Sequence, residues 1–199
     1  MTEFTLLDSF GKLGVASAKF WLTDQRSIGR TRSGLAKPTA HGDRIWVGEV
    51  NVRIHYNEDL RPILGLMAGL TEADGVFNIH PPECFGIKLE YGDVTAIDAS
   101  DRRRIKVSGN NPQAGDYIGI RYDGGRKGLH IVHTPRDENG WITVSPYLSL
   151  NAVVGDALTF GRPQIRAIVD EDGYTPPTIE ELMSEGLNFT WTQDLRRAQ

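Results

Sequence analysis

Arg121–Ile131, RYDGGRKGLHI, sets Gly124, Gly125 and Gly128 around the cations Arg126 and Lys127. Such a segment either cradles a phosphate and opens a helix, or turns sharply between two strands. A phosphate loop of the G-x-x-x-x-G-K-[ST] type wraps the phosphates with backbone N–H groups and holds magnesium on the hydroxyl. Gly119 and Gly124 have the spacing, but Gly125 stands where Lys is needed, and no Ser or Thr follows Lys127. A helix should open at the far end of the loop, whereas Leu129–Thr134 (LHIVHT) reads as a strand. Asp123-Gly124 is a hairpin signal, because both central residues can take positive φ. The stretch therefore predicts a β-hairpin, and with it a β-rich chain.

Working outward, short strands with turn signals between them fill 88–160: VTAI, RIKV, DYIGIRY, LHIVH, WITV and DALTF, with Asn139-Gly140 as a second hairpin turn. Strands at this spacing predict a small antiparallel barrel. Upstream, Arg44–Tyr56 (RIWVGEVNVRIHY) alternates with period two. Trp46, Gly48, Val50, Val52, Ile54 and Tyr56 form a dry face; Glu49, Asn51, Arg53 and His55 form a wet one. In NEDLRPILGLMAGL, Leu60, Ile63, Leu64 and Met67 form a helical stripe, with Pro62 in the first turn and Gly69 as a stop. Gly75–His80 is a strand closed by Pro81-Pro82.

The chain then returns to longer elements. Ile165–Val169 is strand-like, and Asp170-Glu-Asp172 reads as a solvated loop. Thr178–Glu181 has the capping-box pattern, with Gly186 as a stop, and predicts a short helix. Leu187–Leu195 alternates again: Leu187, Phe189 and Trp191 on one face, Asn188, Thr190, Thr192 and Asp194 on the other. Among the first forty residues, SIGRTRSGLAKPTAHG reads as a long exposed loop of the kind a partner orders.

The totals are those of a globular chain of 199 residues with net charge −4. That balance disfavours sequence-independent nucleic-acid binding. The single cysteine, Cys84, excludes an internal disulfide, and it reads as a buried or idle thiol. No signal peptide or membrane-spanning run is evident at the sequence level. His130 and His133 are three apart on a strand, hence on opposite faces, and cannot chelate one metal. Ser145 has no nucleophile-elbow context. Arg102-Arg-Arg104 reads as a solvated turn. The expectation is no catalytic, cofactor-binding or metal site, and no enzyme.

The order of these pieces resembles the distal tail proteins of long-tailed, non-contractile bacteriophages, of the two-domain type with an inserted barrel. The resemblance is carried by RIWVGEVNVRIHY leading into DLRPILGLMAGL, by GVFNIHPP, and by PQAGDYIGIRYDGGRKGLHIVHTPRDENGWITVSPYL. Gly115-Asp116 matches the family's strand entry, Pro146-Tyr-Leu148 its exit, and NFTWTQDL its last strand. It implies a mainly β (α+β) fold. A tail-tube-like β-sandwich or split barrel with one packed helix would occupy 1–87 and 161–199. An OB-like antiparallel barrel would be inserted over 88–160.

The implied role is structural. Six copies form a ring joining the tail tube to the tail-tip hub or baseplate, and DNA passes transiently through the lumen. Implied partners are the tail tube protein, the hub and, beyond them, tape measure or tail fibre proteins, with no membrane. The implied location is the virion tail tip after synthesis in the bacterial host cytoplasm. On this reading Glu49, Asn51, Arg53, His55, Asn188, Thr190, Thr192 and Asp194 face the lumen. The alternative is an OB-type module that binds an oligosaccharide or nucleic acid.

Overall fold

In a computed structural model of the chain, the decisive stretch is a hairpin. The structure describes residues 4–5, 15–23, 26–30, 32, 34, 36–40, 44–52, 57–72, 75–82, 95–109, 111–122, 126–148, 158–160, 163–177 and 186–195. Strand β9 (Tyr117–Arg121) pairs antiparallel with β10 (Lys127–Thr134), placing Arg121 opposite Lys127. The Tyr122 N–H donates to the Arg126 carbonyl at 2.8 Å and closes the ladder. Lys127 begins a strand, as the β reading requires; Asp123–Gly125 at the tip lie outside the described residues.

The Asn-Gly turn joins β10 to β11 (Trp141–Ser145). Gly140 has φ +86°, a region L side chains rarely adopt. Asp137 organises the turn: its Oδ1 accepts from the Asn139 and Trp141 N–H groups at 2.9 and 2.8 Å. With β7 (Thr95–Asp98) and β8 (Arg104–Ser108), these strands make a five-stranded antiparallel sheet in the order β7-β8-β11-β10-β9. Thr159 extends its β9 edge through paired backbone bonds with Gly119. Its core includes Ile105, Val107, Ile118, Ile120, Val132 and Ile142.

The other sheet has six strands. Besides β1 (Phe4–Thr5), it uses β2 (Val15–Leu22), β5 (Trp46–Val52), β6 (Phe77–Ile79), β12 (Ile165–Thr175) and β13 (Leu187–Gln193). Their order is β1-β6-β12-β13-β5-β2, antiparallel except for the β1–β6 pair. Among the described residues the fold is mainly β with one helix, its two sheets curled into half-barrels. Strands β3 (Arg26–Arg30) and β4 (Ala36–Ala40) form a separate antiparallel pair. This corrects the loop reading of the SIGRTRSGLAKPTAHG segment. Alternation there is too weak to announce strands, and cross-strand pairing supplies what the side-chain pattern lacks.

Alternation in β5 and β13 sets the register. Leu187 lies opposite Val52, Phe189 opposite Val50 and Trp191 opposite Gly48. All six are buried. Helix α1 (Asn57–Leu70) covers this face through Leu60, Ile63, Met67 and Leu70. Full burial of each such side chain contributes ~1.5–3 kcal/mol. At about 100° per residue these four span an arc of roughly 80°, and Leu64 falls about 40° beyond it. Leu64 is accordingly exposed rather than part of the buried stripe, and Gly69 lies inside the helix rather than ending it.

One further expectation changes. Strand β12 runs through Asp170–Asp172 to Thr175, so the acidic cluster belongs to a strand, with a register shift between Val169 and Tyr174. The helix expected from Thr178 and the thiol Cys84 lie outside the described residues. The two sheets share core: Leu129 of β10 belongs to the cluster around Trp46, and the Trp46 indole N–H donates to the Leu129 carbonyl at 2.7 Å.

Candidate functional site

The face of the six-stranded sheet opposite α1 is polar, and its side chains are linked across strands. Glu49 sits at its centre. Lys19 Nζ donates to Glu49 Oε2 at 2.9 Å, and Asn188 Nδ2 donates to Glu49 Oε1 at 3.0 Å. Asn51 Nδ2 donates to Ser17 Oγ at 2.9 Å. The Lys19 hydrogen bond, then that from Asn188, holds the Glu49 carboxyl below its ordinary value of 4.5. Farther along, Thr192 Oγ1 donates to Asp170 Oδ1 at 2.6 Å. Gly173 lies against Thr190 Oγ1, where a Cβ would collide with it. The register shift in β12 falls at this end of the face, where Glu171 and Asp172 are exposed.

Of the eight residues assigned to this face from sequence, Glu49, Asn51, Asn188, Thr190 and Thr192 lie together on it, each half-buried. Arg53 and His55 lie outside the described residues. Asp194 differs from those half-buried residues in being buried: its exposure is 3%. Strand β13 ends at Gln193, and the Asp194 N–H continues its pairing with β12 by donating to the Arg166 carbonyl at 2.9 Å. Its carboxylate then meets Arg166 Nη2 at 3.1 Å, inside the protein. Arg166 stands between the core residues Ile165 and Ala167 and so lies on the side of β12 away from the core; it is the ion pair with it that buries Asp194.

Strand β2 supplies Lys19 and Ser17 to the face, and sequence reasoning missed it. Its signal was present: in SAKFWL, Ala18, Phe20 and Leu22 alternate with Ser17, Lys19 and Trp21. The first set packs against the core, whereas Trp21 is 46% exposed.

A second feature lies between the sheets. A cavity of about 120 Å³ is lined by Tyr122, Arg126, the start of β10 and the Pro146–Tyr147 segment on one side, and by Arg44, Ile45, Gln193 and Leu195 on the other. His130 is buried at its base. The Pro146 carbonyl, 2.8 Å from Nδ1, can only accept, so Nδ1 carries the proton. Nε2 therefore accepts from the Tyr122 hydroxyl at 2.6 Å. Burial pushes the His130 pKa from 6.5 down to about 4, opposed by the Pro146 hydrogen bond and aided by the Arg126 charge. Gly128 leaves room for the Tyr122 ring, which a Cβ there would strike. His133 points the other way and is exposed, as strand geometry demands.

The basic triplet is tied down around this region. Arg102 Nε donates to the Leu148 carbonyl at 3.1 Å, Arg103 stacks over the Tyr147 ring, and Arg104 pairs with Asp101 at 2.9 Å. No three His, Cys, Asp or Glu side chains among the described residues gather to hold a metal ion. No helix among them is long and apolar enough to cross a membrane.

Fold and surfaces together define a mainly β protein of two curled sheets, with a polar sheet face and a basic cleft between the sheets. No protein-family model matches the chain, and no curated protein matches it.

Proposed function

We propose that the chain is a structural virion protein without catalytic activity. As a distal tail protein, it would form a hexameric ring between the tail tube and the tail-tip hub or baseplate, with DNA passing through. One observation carries this reading. The sheet has one wholly apolar face, and its opposite face is polar and internally hydrogen-bonded around Glu49. A lumen for DNA needs a hydrated wall that does not grip phosphates. Here Lys19 is neutralised by Glu49, and Asp170 adds negative charge.

Ring closure has a physical motive as well. Strand β2 ends the sheet order, and an uncovered edge carries unpaired backbone donors and acceptors. In the ring a neighbouring copy covers that edge. The five-stranded sheet faces outward and docks other tail-tip proteins.

The test is electron microscopy of the purified protein and of virions. Sixfold rings at the junction of tube and hub are expected. A threefold arrangement, or a tail-tip map that lacks this chain, overturns the reading.

A further inference from the structure

The cleft between the sheets has a composition the ring reading does not use. Arg44, Arg126 and Lys127 line it, and among the described residues no Asp or Glu does. This is notable in a chain of net charge −4. The two arginines are not neutralised by the contacts they make. Arg44 Nε donates to the Thr23 carbonyl at 3.1 Å, and Arg126 stacks on the Tyr122 ring at 5.0 Å. Both partners are uncharged, and both contacts leave guanidinium N–H groups to donate elsewhere.

His130 adds a donor to neither side of the cleft. Both of its nitrogens are occupied, one by Pro146 and one by Tyr122, and it stays neutral at pH 7. Its role is to hold the Tyr122 ring in place as a platform for Arg126. Tyr147, 51% exposed, supplies an aromatic wall, and Arg103 brings a further cation against its ring. Gln193 and Leu195 close the opposite side. The volume, about 120 Å³, is close to the ~150 Å³ cavity that accommodates benzene.

We propose that this cleft binds a small phosphate monoester, its dianionic head held by Arg44, Arg126 and Lys127 and its planar body against Tyr147. Arginine suits the head because its planar fork matches oxyanion geometry. A dianion suits a cleft with two arginines that rest on uncharged partners better than a monoanion does. Tyrosine suits a planar body because it offers a rigid, half-wetted ring face.

Phenyl phosphate is the probe, with benzoate and phenol as the monoanionic and neutral comparisons. Titration of the full chain at low salt, followed by calorimetry and by amide NMR shifts, should give saturable binding of phenyl phosphate. Benzoate should bind more weakly and phenol not measurably. Shifts should cluster at Gly128, His130, Tyr147 and Gln193. Arg44→Gln and Arg126→Gln should each weaken phenyl phosphate about tenfold, the scale of one hydrogen bond to a charged group. Tyr147→Ala should weaken phenyl phosphate while leaving inorganic phosphate binding unchanged.

Far-UV circular dichroism and melting of each variant separate loss of binding from loss of fold. Arg44, exposed on the surface, is the variant least able to unfold the protein. Absence of saturable phenyl phosphate binding overturns the proposal, as does benzoate binding equally well. Affinity unchanged in folded Arg44→Gln and Arg126→Gln overturns it too.

Discussion

Trp191 lies flat against the backbone of Gly48, so close that a Cβ at position 48 would sit 2.5 Å from its Cζ2. Phe20 approaches from the other side, its ring centroid 4.7 Å from that of Trp191 in an edge-on arrangement. Both aromatics pair across the sheet with Gly48. The missing side chain at Gly48 is therefore what lets two large rings meet over one strand.

Gly48→Ala should cost ~1–3 kcal/mol through overpacking, since backbone as well as ring must shift. Gly65→Ala is the control. It sits mid-helix with nothing within 4 Å of the added methyl, so it should stabilise by ~0.5–1 kcal/mol. Urea midpoints of the two variants should move in opposite directions.

Arg166 and Asp194 form an ion pair with side-chain exposures of only 11% and 2%. Removing one partner leaves a charge in a low-dielectric site. Asp194→Ala should therefore destabilise by ~3–5 kcal/mol. The double variant Arg166→Met/Asp194→Leu should recover most of that loss, because it leaves no buried charge. Chemical denaturation of the single and double variants checks this.

His130 gives stability a pH dependence of definite sign. It is neutral in the fold down to about pH 4, but in the unfolded chain it takes a proton near its ordinary 6.5. Between those values the unfolded state binds more protons, so stability falls as pH drops from 6.5 toward 4. The full loss is roughly 3 kcal/mol. His130→Asn should be less stable at neutral pH but should show a flatter profile across this window. A His130 NMR resonance titrating above pH 6 would contradict the assignment.

Glu49 acts in a lower window. Its carboxyl is held below 4.5 by Lys19 and then Asn188, so the stability it contributes is present above pH 4.5 and is lost as pH falls through the depressed value. Lys19 is 64% exposed, so the effect is small and salt-sensitive. Stability measured at pH 6 and pH 3.5 should differ less in Glu49→Gln than in the wild type, and raising the ionic strength should narrow the gap between the two proteins.

Leu129 tests how far the sheets depend on each other. It is buried in the core of the six-stranded sheet although it belongs to the other one. Leu129→Ala should cost ~2–5 kcal/mol. It should also lower the melting of both sheets together, read by near-UV signals from Trp46 and Trp141. Separate transitions would mean that the shared core does not couple them.

The sequence by itself determined the elements whose side chains repeat with a period. Trp46–Val52 and Leu187–Trp191 alternate so cleanly that a one-residue slip would expose their aromatics, and this fixes their dry and wet faces. The two hairpins were legible because Asp-Gly and Asn-Gly dictate backbone geometry locally. Tertiary structure decided whatever depends on a neighbour far along the chain. Asp194 looked like a hydrated member of a polar row, but Arg166, on a different strand, pairs with it and leaves it buried. Leu64 looked like core until the packing direction of α1 left it outside the buried arc. The cleft had no signature at all: Arg44 and Arg126 are far apart in the chain, and only the packing of one sheet on the other brings them to one cleft. Periodicity records which side of an element avoids water. It carries no record of which distant charge will stand across from it.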